Sequence, residues 1–305
     1  DAKINSFSDV NFLCNGKNSH IFKAKSGEEP VVIKKLFSTK ADNPTCIHEF
    51  KFEVEFLLRA VSCKSIVQVL ESGHDDVEIP REETEEGNDN DDEKRKKQAE
   101  EPAKLVTVPF IVLECLNGGS LTYRLTRKRA FGGRPFSNNV DLYSYMMSLA
   151  EALNFLHYEF DPAVHVLHRD LKPDNVAFTD DGRLKLIDFG LSICIRRLEN
   201  ATDTYQMTGE TGSLRYMAPE VIMSKPYNYK SDVFSFAIVS WEMCTGVVPH
   251  AGKSKEAFIK HVVERKQRPG LLADPYGGKI VQPDAMKELW KTCWDHDMNK
   301  RLTMK

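Results

Sequence analysis

No stretch of these 305 residues is apolar for long enough to span a membrane, and no secretory leader is expected. Seven cysteines make an odd set without C-x-x-C spacing, so neither a disulfide framework nor a zinc or thiol redox pair is indicated. A reduced, cytoplasmic setting is the expectation. Charge of one sign is missing too: 42 Lys and Arg face 45 Asp and Glu, a net of −3, which argues against a nucleic-acid surface. The basic residues that do gather, Arg124, Arg127, Lys128, Arg129 and Arg134, sit in one segment and read as a solvated helix end and loop.

With 41% apolar content the chain can bury a large core, and its length favours two lobes over one compact body. One segment stands apart. From Asp75 to Lys104 thirteen Asp and Glu oppose six Lys and Arg, a local charge of −7 that leaves +4 on the remainder. Almost free of apolar residues, it is expected to stay disordered as a solvated insertion between strands at Ile66–Leu70 and Leu105–Leu113.

The most informative residues are His168-Arg169-Asp170-Leu171-Lys172-Pro173-Asp174-Asn175, with Asp188-Phe189-Gly190 thirteen residues after Asn175. The link reads as a hairpin, because Asn175 to Phe178 and Arg183 to Ile187 are apolar-rich and flank Thr179-Asp180-Asp181-Gly182, a turn with glycine where φ should be positive. That geometry would set Asn175 beside Asp188. Two oxygen ligands at neighbouring strand ends suit a small hard cation that keeps some waters, so magnesium is expected. A carboxylate, an ammonium, an amide and a second carboxylate form a set suited to phosphoryl transfer.

Upstream, Val31-Val32-Ile33-Lys34 is β-rich, and its alternation would bury Val31 and Ile33 and turn Lys34 to the other face. Lys35 then points away from Lys34 and reads as solvated. Ile47 to Val61 carries Phe50, Val54, Leu57, Leu58 and Val61 at helical spacings.

Together with Ala218-Pro219-Glu220 and the late Arg301, these motifs resemble the eukaryotic protein kinase domain, from about Val10 to the last residues. The resemblance implies an α+β, bilobal fold: residues 1–116 as a small lobe of antiparallel β-sheet plus one helix, and 117–305 as a larger, mainly helical lobe. It implies ATP and Mg2+ as cofactors. Asp170 would accept the substrate proton, Lys172 would sit on the transferring phosphate, and Asn175 and Asp188 would hold the metal. Lys34 would pair with nucleotide phosphates and with a helix glutamate, for which Glu53 is the choice and Glu55 the runner-up. Lys172 stands where tyrosine-specific members usually carry Ala or Arg, which favours serine or threonine in a protein substrate.

The phosphate-covering loop departs most from the family. Its G-x-G-x-x-G is replaced by Leu13-Cys14-Asn15-Gly16-Lys17-Asn18-Ser19-His20-Ile21, which keeps only the middle glycine. Leu13, Gly16 and Ile21 would still cover the nucleotide, with binding weakened rather than lost. Cys14 would bring a thiol over it. The degraded loop keeps open an alternative, a nucleotide-binding scaffold without turnover. Phe110 to Leu121 reads as a buried strand, an Asn117-Gly118-Gly119 break and a helix start at Ser120. By resemblance Leu113 is the gatekeeper, and the backbone of Glu114 and Leu116 meets the adenine edge.

Asp188 to Glu220 holds Thr202, Thr204, Tyr205, Thr208, Thr211 and Ser213, and reads as a polar activation segment. Arg169 before the catalytic aspartate implies regulation by phosphorylation at Thr204, Thr208 or Thr211, by an upstream kinase or by another copy of the chain. Ser213 belongs with substrate positioning. Glu220 and Arg301 would form a buried pair, while Asp232 would cap an all-round apolar helix running to Met243 and hold the His168–Asp170 backbone. Asp232-Val233-Phe234-Ser235-Phe236, Trp241-Glu242 and Cys293-Trp294 resemble the tyrosine-kinase-like group, whose activity is mostly on serine and threonine. Leu302 stands where proline is usual. The ends at Asp1 and Lys305 suggest a domain of a longer parent, whose location stays open.

Overall fold

The computed structural model describes residues 3–79, 104–131, 136, 139–197, 200, 202–271 and 284–305. Most of the acidic insertion, and Arg134, lie outside the described residues. The chain divides into two units, Asp1–Glu55 with Val69–Cys115, and Phe56–Gln68 with Leu116–Lys305. The boundary thus falls one residue before the one read from sequence. Phe56–Gln68, expected in the first unit, belongs to the second.

The first unit is an antiparallel sheet of β1 (Ser8–Asn15), β2 (Ser19–Ser26), β3 (Glu29–Leu36), β4 (Val69–Ile79) and β5 (Lys104–Glu114), ordered β1-β2-β3-β5-β4. Alternation decides its core: Val31 and Ile33 of β3 and Phe110 and Val112 of β5 share one buried cluster with Phe7 and Ala24. Strand β4 corrects two expectations. It starts at Val69 rather than Ile66, and its ladder with β5 runs out to Ile79 opposite Lys104, inside the stretch expected to be disordered. Two of the charges there are answered. Lys35 Nζ donates to Asp75 Oδ2 at 2.5 Å, so Lys35 is paired rather than solvated, and Thr107 Oγ1 donates to Asp76 Oδ1 at 2.8 Å.

Helix α1 spans Pro44–Arg59. Asn43 caps it, its Oδ1 accepting from Cys46 N at 3.1 Å. Its buried face is Phe50, Glu53, Phe56 and Leu57, continued by Ala60 just beyond its end, while Leu58 and the following Val61 are half exposed. The apolar count had placed those two inside. A buried glutamate occupies part of the inward stripe and rotates it.

The second unit contains α2 (Leu121–Phe131), α3 (Asn139–Asn154), α4 (Pro219–Ile222), α5 (Lys230–Thr245), α6 (Lys255–Ile259) and α7 (Asp284–Cys293). It also holds two short antiparallel pairs, β6 (Val164–Leu167) with β9 (Ile193–Arg196) and β7 (Val176–Phe178) with β8 (Leu184–Leu186). All sixteen residues of α5 are buried, as an all-round apolar sequence requires, and Gly246 at φ 68° ends it. Ser120 starts α2 as expected, its Oγ accepting from Tyr123 N at 3.1 Å. The basic end of α2 is less solvated than its composition suggests. Arg124 lies over the Phe178 ring and donates to Gly118 O, while Arg129 donates to Gly246 O at 2.5 Å. Among the described residues no helix is long and apolar enough to cross a membrane.

Candidate functional site

The catalytic loop follows β6 and is pinned from below. Asp232 accepts from His168 N at 2.9 Å and Arg169 N at 3.0 Å, and is hydrogen-bonded to His157 Nε2 at 3.1 Å. It sits inside the first turn of α5, which begins at Lys230, so it holds the loop without capping the helix. Burial alone would push its carboxyl up. The His157 hydrogen bond, the His157 and His168 rings and the Arg169 amide outweigh this, and the carboxyl lies below its ordinary range. The two loop amides so held allow Arg169 to keep a left-handed backbone, φ 65°.

Asp170 is buried, and its two oxygens have different surroundings. Lys172 Nζ donates to Oδ2 at 2.8 Å and Asn175 Nδ2 donates to the same oxygen at 3.2 Å, whereas Oδ1 has no hydrogen-bond partner. Asn175 Nδ2 also donates to Asp170 O at 2.8 Å. Gly212 approaches from the activation segment with φ 101°, where a Cβ would lie 2.4 Å from Arg169 O and 3.2 Å from Asp170 Oδ1. Sequence reading gave Gly212 no role, because a close backbone approach leaves no local pattern.

The expected hairpin forms with Val176 opposite Leu186 and Gly182 at φ 84°. Ile187 N donates to Asn175 O at 2.9 Å, which brings Asn175 next to the residue before Asp188. Asp188 adopts φ 60°, and its Oδ1 accepts from Gly190 N at 3.4 Å. Phe189 packs on Phe56 and His168, ring centroids 4.7 and 5.0 Å apart. With its amide nitrogen spent on Asp170, Asn175 keeps its amide oxygen for other use. That oxygen and the Asp188 carboxylate are donors of the kind magnesium takes.

On the first unit, Lys34 Nζ donates to Glu53 Oε1 at 2.7 Å and Oε2 at 2.8 Å. Glu55 is exposed. Strands β1 and β2 meet in a turn closed by Gly16 N donating to Ser19 O at 2.7 Å. Leu13 and Cys14 on β1 are exposed, and Ile21 on β2 pairs with Cys14. Glu114 ends β5 opposite Val31, and Leu116 begins the longer stretch of the second unit. Gly118 has no room for a side chain: a Cβ would lie 2.5 Å from Thr179 O.

In the activation segment Arg169 Nη1 donates to Thr208 Oγ1 at 3.1 Å, and Thr211 Oγ1 donates to the same hydroxyl at 3.0 Å. Thr204 is exposed. Arg301 donates to both oxygens of Glu220 at 2.6 and 2.8 Å, the buried pair expected from sequence. A second buried cluster was not anticipated: Tyr216 OH donates to Glu242 Oε2 at 2.7 Å, and Arg129 bonds Glu242 Oε1. Burial raises both Tyr216 and Glu242 above their ordinary values.

The chain is similar to several known kinases, to one of them over nearly its whole length. It is 35% identical over 297 residues to "Serine/threonine-protein kinase VIK" of Arabidopsis thaliana, covering 97% of this chain and 57% of that protein. "Serine/threonine/tyrosine-protein kinase HT1" of the same plant is 33% identical, with 63% of this chain and 43% of that protein covered. Its "Serine/threonine-protein kinase 12" is 34% identical over 64% and 39%. The chain therefore spans only part of each of these relatives. The family model described as "Protein kinase domain" matches residues 7–305. With its five-stranded sheet, its mainly helical second unit and this match, the chain belongs to the protein kinase domain family.

Proposed function

We propose that this chain is an ATP-dependent protein kinase acting on serine and threonine hydroxyls. The observation that carries the reading is the asymmetry of Asp170, with Oδ2 held by Lys172 and Asn175 and a buried Oδ1 left without a partner. A substrate hydroxyl donating to Oδ1 would complete the carboxylate. As the hydroxyl oxygen bonds to the γ-phosphorus, its proton passes to Asp170 and the bond to the bridging oxygen breaks, releasing ADP. Lys172 would offset charge on the transferring group. Lys34, oriented by Glu53, would hold the α- and β-phosphates, and Leu13, Gly16, Ile21, Glu114 and Leu116 would line the nucleotide. Magnesium, bound by Asn175 and Asp188, would supply neutralisation of the phosphate charge.

Relatives named as serine/threonine kinases support the substrate class, as does Lys172. The contact from Arg169 supports Thr208 over Thr204 and Thr211 as the regulatory phosphorylation site, modified by an upstream kinase or by a second copy. An odd set of seven cysteines without C-x-x-C spacing supports a reducing, cytoplasmic setting. The test is turnover of magnesium-ATP on serine-, threonine- and tyrosine-bearing peptides, beside an Asp170→Asn control. Phosphorylation of the first two alone, lost in the control, is expected. Equal signals from protein and control would favour the scaffold.

A further inference from the structure

A cavity of about 540 Å³ on the second unit is lined by Lys172, Asp174 and Ser213 next to the catalytic loop, and by Arg215, Lys253 and Lys255 from elements far along the chain. Lys172 also bonds Asp170 at 2.8 Å, so whatever fills this space lies one side chain away from the expected base. The lining is unbalanced in charge. Arg129 and Glu242, also in the wall, answer each other. With Lys172 bonded to Asp170 and Lys255 to Glu210, that leaves Arg215 and Lys253 against Asp174.

The cations are fixed to different degrees. Arg215 donates to Pro249 O and His250 O at 3.1 Å, contacts with neutral carbonyls that orient the guanidinium and leave its charge uncompensated. Lys255 reaches Glu210 at 3.1 Å, with both side chains more than half exposed. Lys253 has no ion-pair partner among the described residues. The local field agrees: His250 is held down to about 4, by burial first and then by His261, Lys253, Arg268 and Arg215, all of them cationic when charged. Phe258 and Val248 supply apolar wall, which strengthens any charge pairing inside.

We propose that this cavity receives a carboxylate side chain of the protein substrate, a few residues from the accepting hydroxyl, so that the chain selects acidic acceptor sequences. This rests on the kinase reading above. Because the lysines are near the surface, the preference should be moderate and should weaken with salt.

The test uses peptides with one serine acceptor and Asp, Asn or Lys at each of the flanking positions, assayed for kcat/KM with magnesium-ATP. The same peptides are titrated against the Asp170→Asn protein by fluorescence anisotropy. Asp should exceed Asn by roughly fivefold at one or more positions, with Lys lowest, and the ratio should shrink at about 0.5 M salt. In Lys253→Glu the Asp-to-Asn ratio should fall to one or below. An active enzyme that ranks the peptides equally, or a ratio that Lys253→Glu leaves in place, overturns the assignment. So does a phosphoserine peptide that wins while Asp gains nothing over Asn. Absence of turnover on every peptide would refute the kinase reading alone. The anisotropy ranking would then decide the cavity, with Asp first in its favour and no ranking against it.

Discussion

Lys34 and Glu53 share two hydrogen bonds, 2.7 and 2.8 Å, and both side chains are buried. Such a pair is costly to break from one side, because the survivor is left as an uncompensated charge. Glu53→Gln should therefore lose about 3 kcal/mol of stability in urea unfolding, in line with other buried pairs. Replacing both, Lys34→Met with Glu53→Leu, should recover most of that stability while turnover stays at least about tenfold down. Recovery of turnover in the double variant would show that the pair has no part in nucleotide handling.

Gly212 makes a different kind of contact. At φ 101°, with a Cβ position 2.4 Å from Arg169 O, it admits no side chain unless the catalytic loop moves. Gly212→Ala is expected to cost about 1–3 kcal/mol locally and to lower kcat by about a hundredfold through displacement of Asp170. The check is kcat beside nucleotide affinity measured by titration. An unchanged kcat would mean that the loop yields without consequence.

His250 gives a pH dependence with a definite sign. Its folded value is depressed from 6.5 to about 4, so it is neutral in the native protein where the unfolded chain would protonate. Between those values the unfolded state binds more protons, and stability falls as pH falls; above about 6.5 the group contributes nothing. His250→Asn, which tolerates the left-handed φ of 52° at this position, should reduce that acid-side loss by on the order of 1–2 kcal/mol after allowance for solvent access. Chemical denaturation at a series of pH values would show it, and parallel curves for the two proteins would remove His250 as the cause.

Local chemistry made the centre of this chain legible and left its periphery obscure. The hairpin from Asn175 to Asp188 follows from two apolar runs and a turn glycine, and Gly182 adopts the positive φ that reading requires. Strand alternation likewise placed Val31 and Ile33 inside. Helical apolar spacing failed at the end of α1, where Leu58 and the following Val61 look inward by apolar count, because a buried carboxylate paired to a lysine on another element carries no apolar signal. Composition misled at Asp75 and Asp76 for the same reason: acidic residues read as solvated until the partners are seen, Lys35 on β3 and Thr107 across the ladder on β5. The cavity was out of reach altogether, since Arg129, Lys172, Arg215 and Lys253 come from four separate segments.

The same reasoning bears on Thr208, whose hydroxyl already accepts from Arg169 at 3.1 Å. A phosphate there would replace a neutral hydroxyl acceptor by an anion paired with a guanidinium whose Nε is anchored on Leu191 O at 2.7 Å. Since Arg169 adjoins Asp170, ordering it would steady the base. Phosphatase treatment of active protein should lower kcat/KM about tenfold or more, and Thr208→Ala should match the treated protein and no longer respond. Arg169→Gln should remove the difference between phosphorylated and treated forms while Thr208 is still modified, as read by mass spectrometry. Full phosphatase sensitivity in Thr208→Ala would instead move the site to Thr204 or Thr211, neither of which Arg169 contacts in the described contacts.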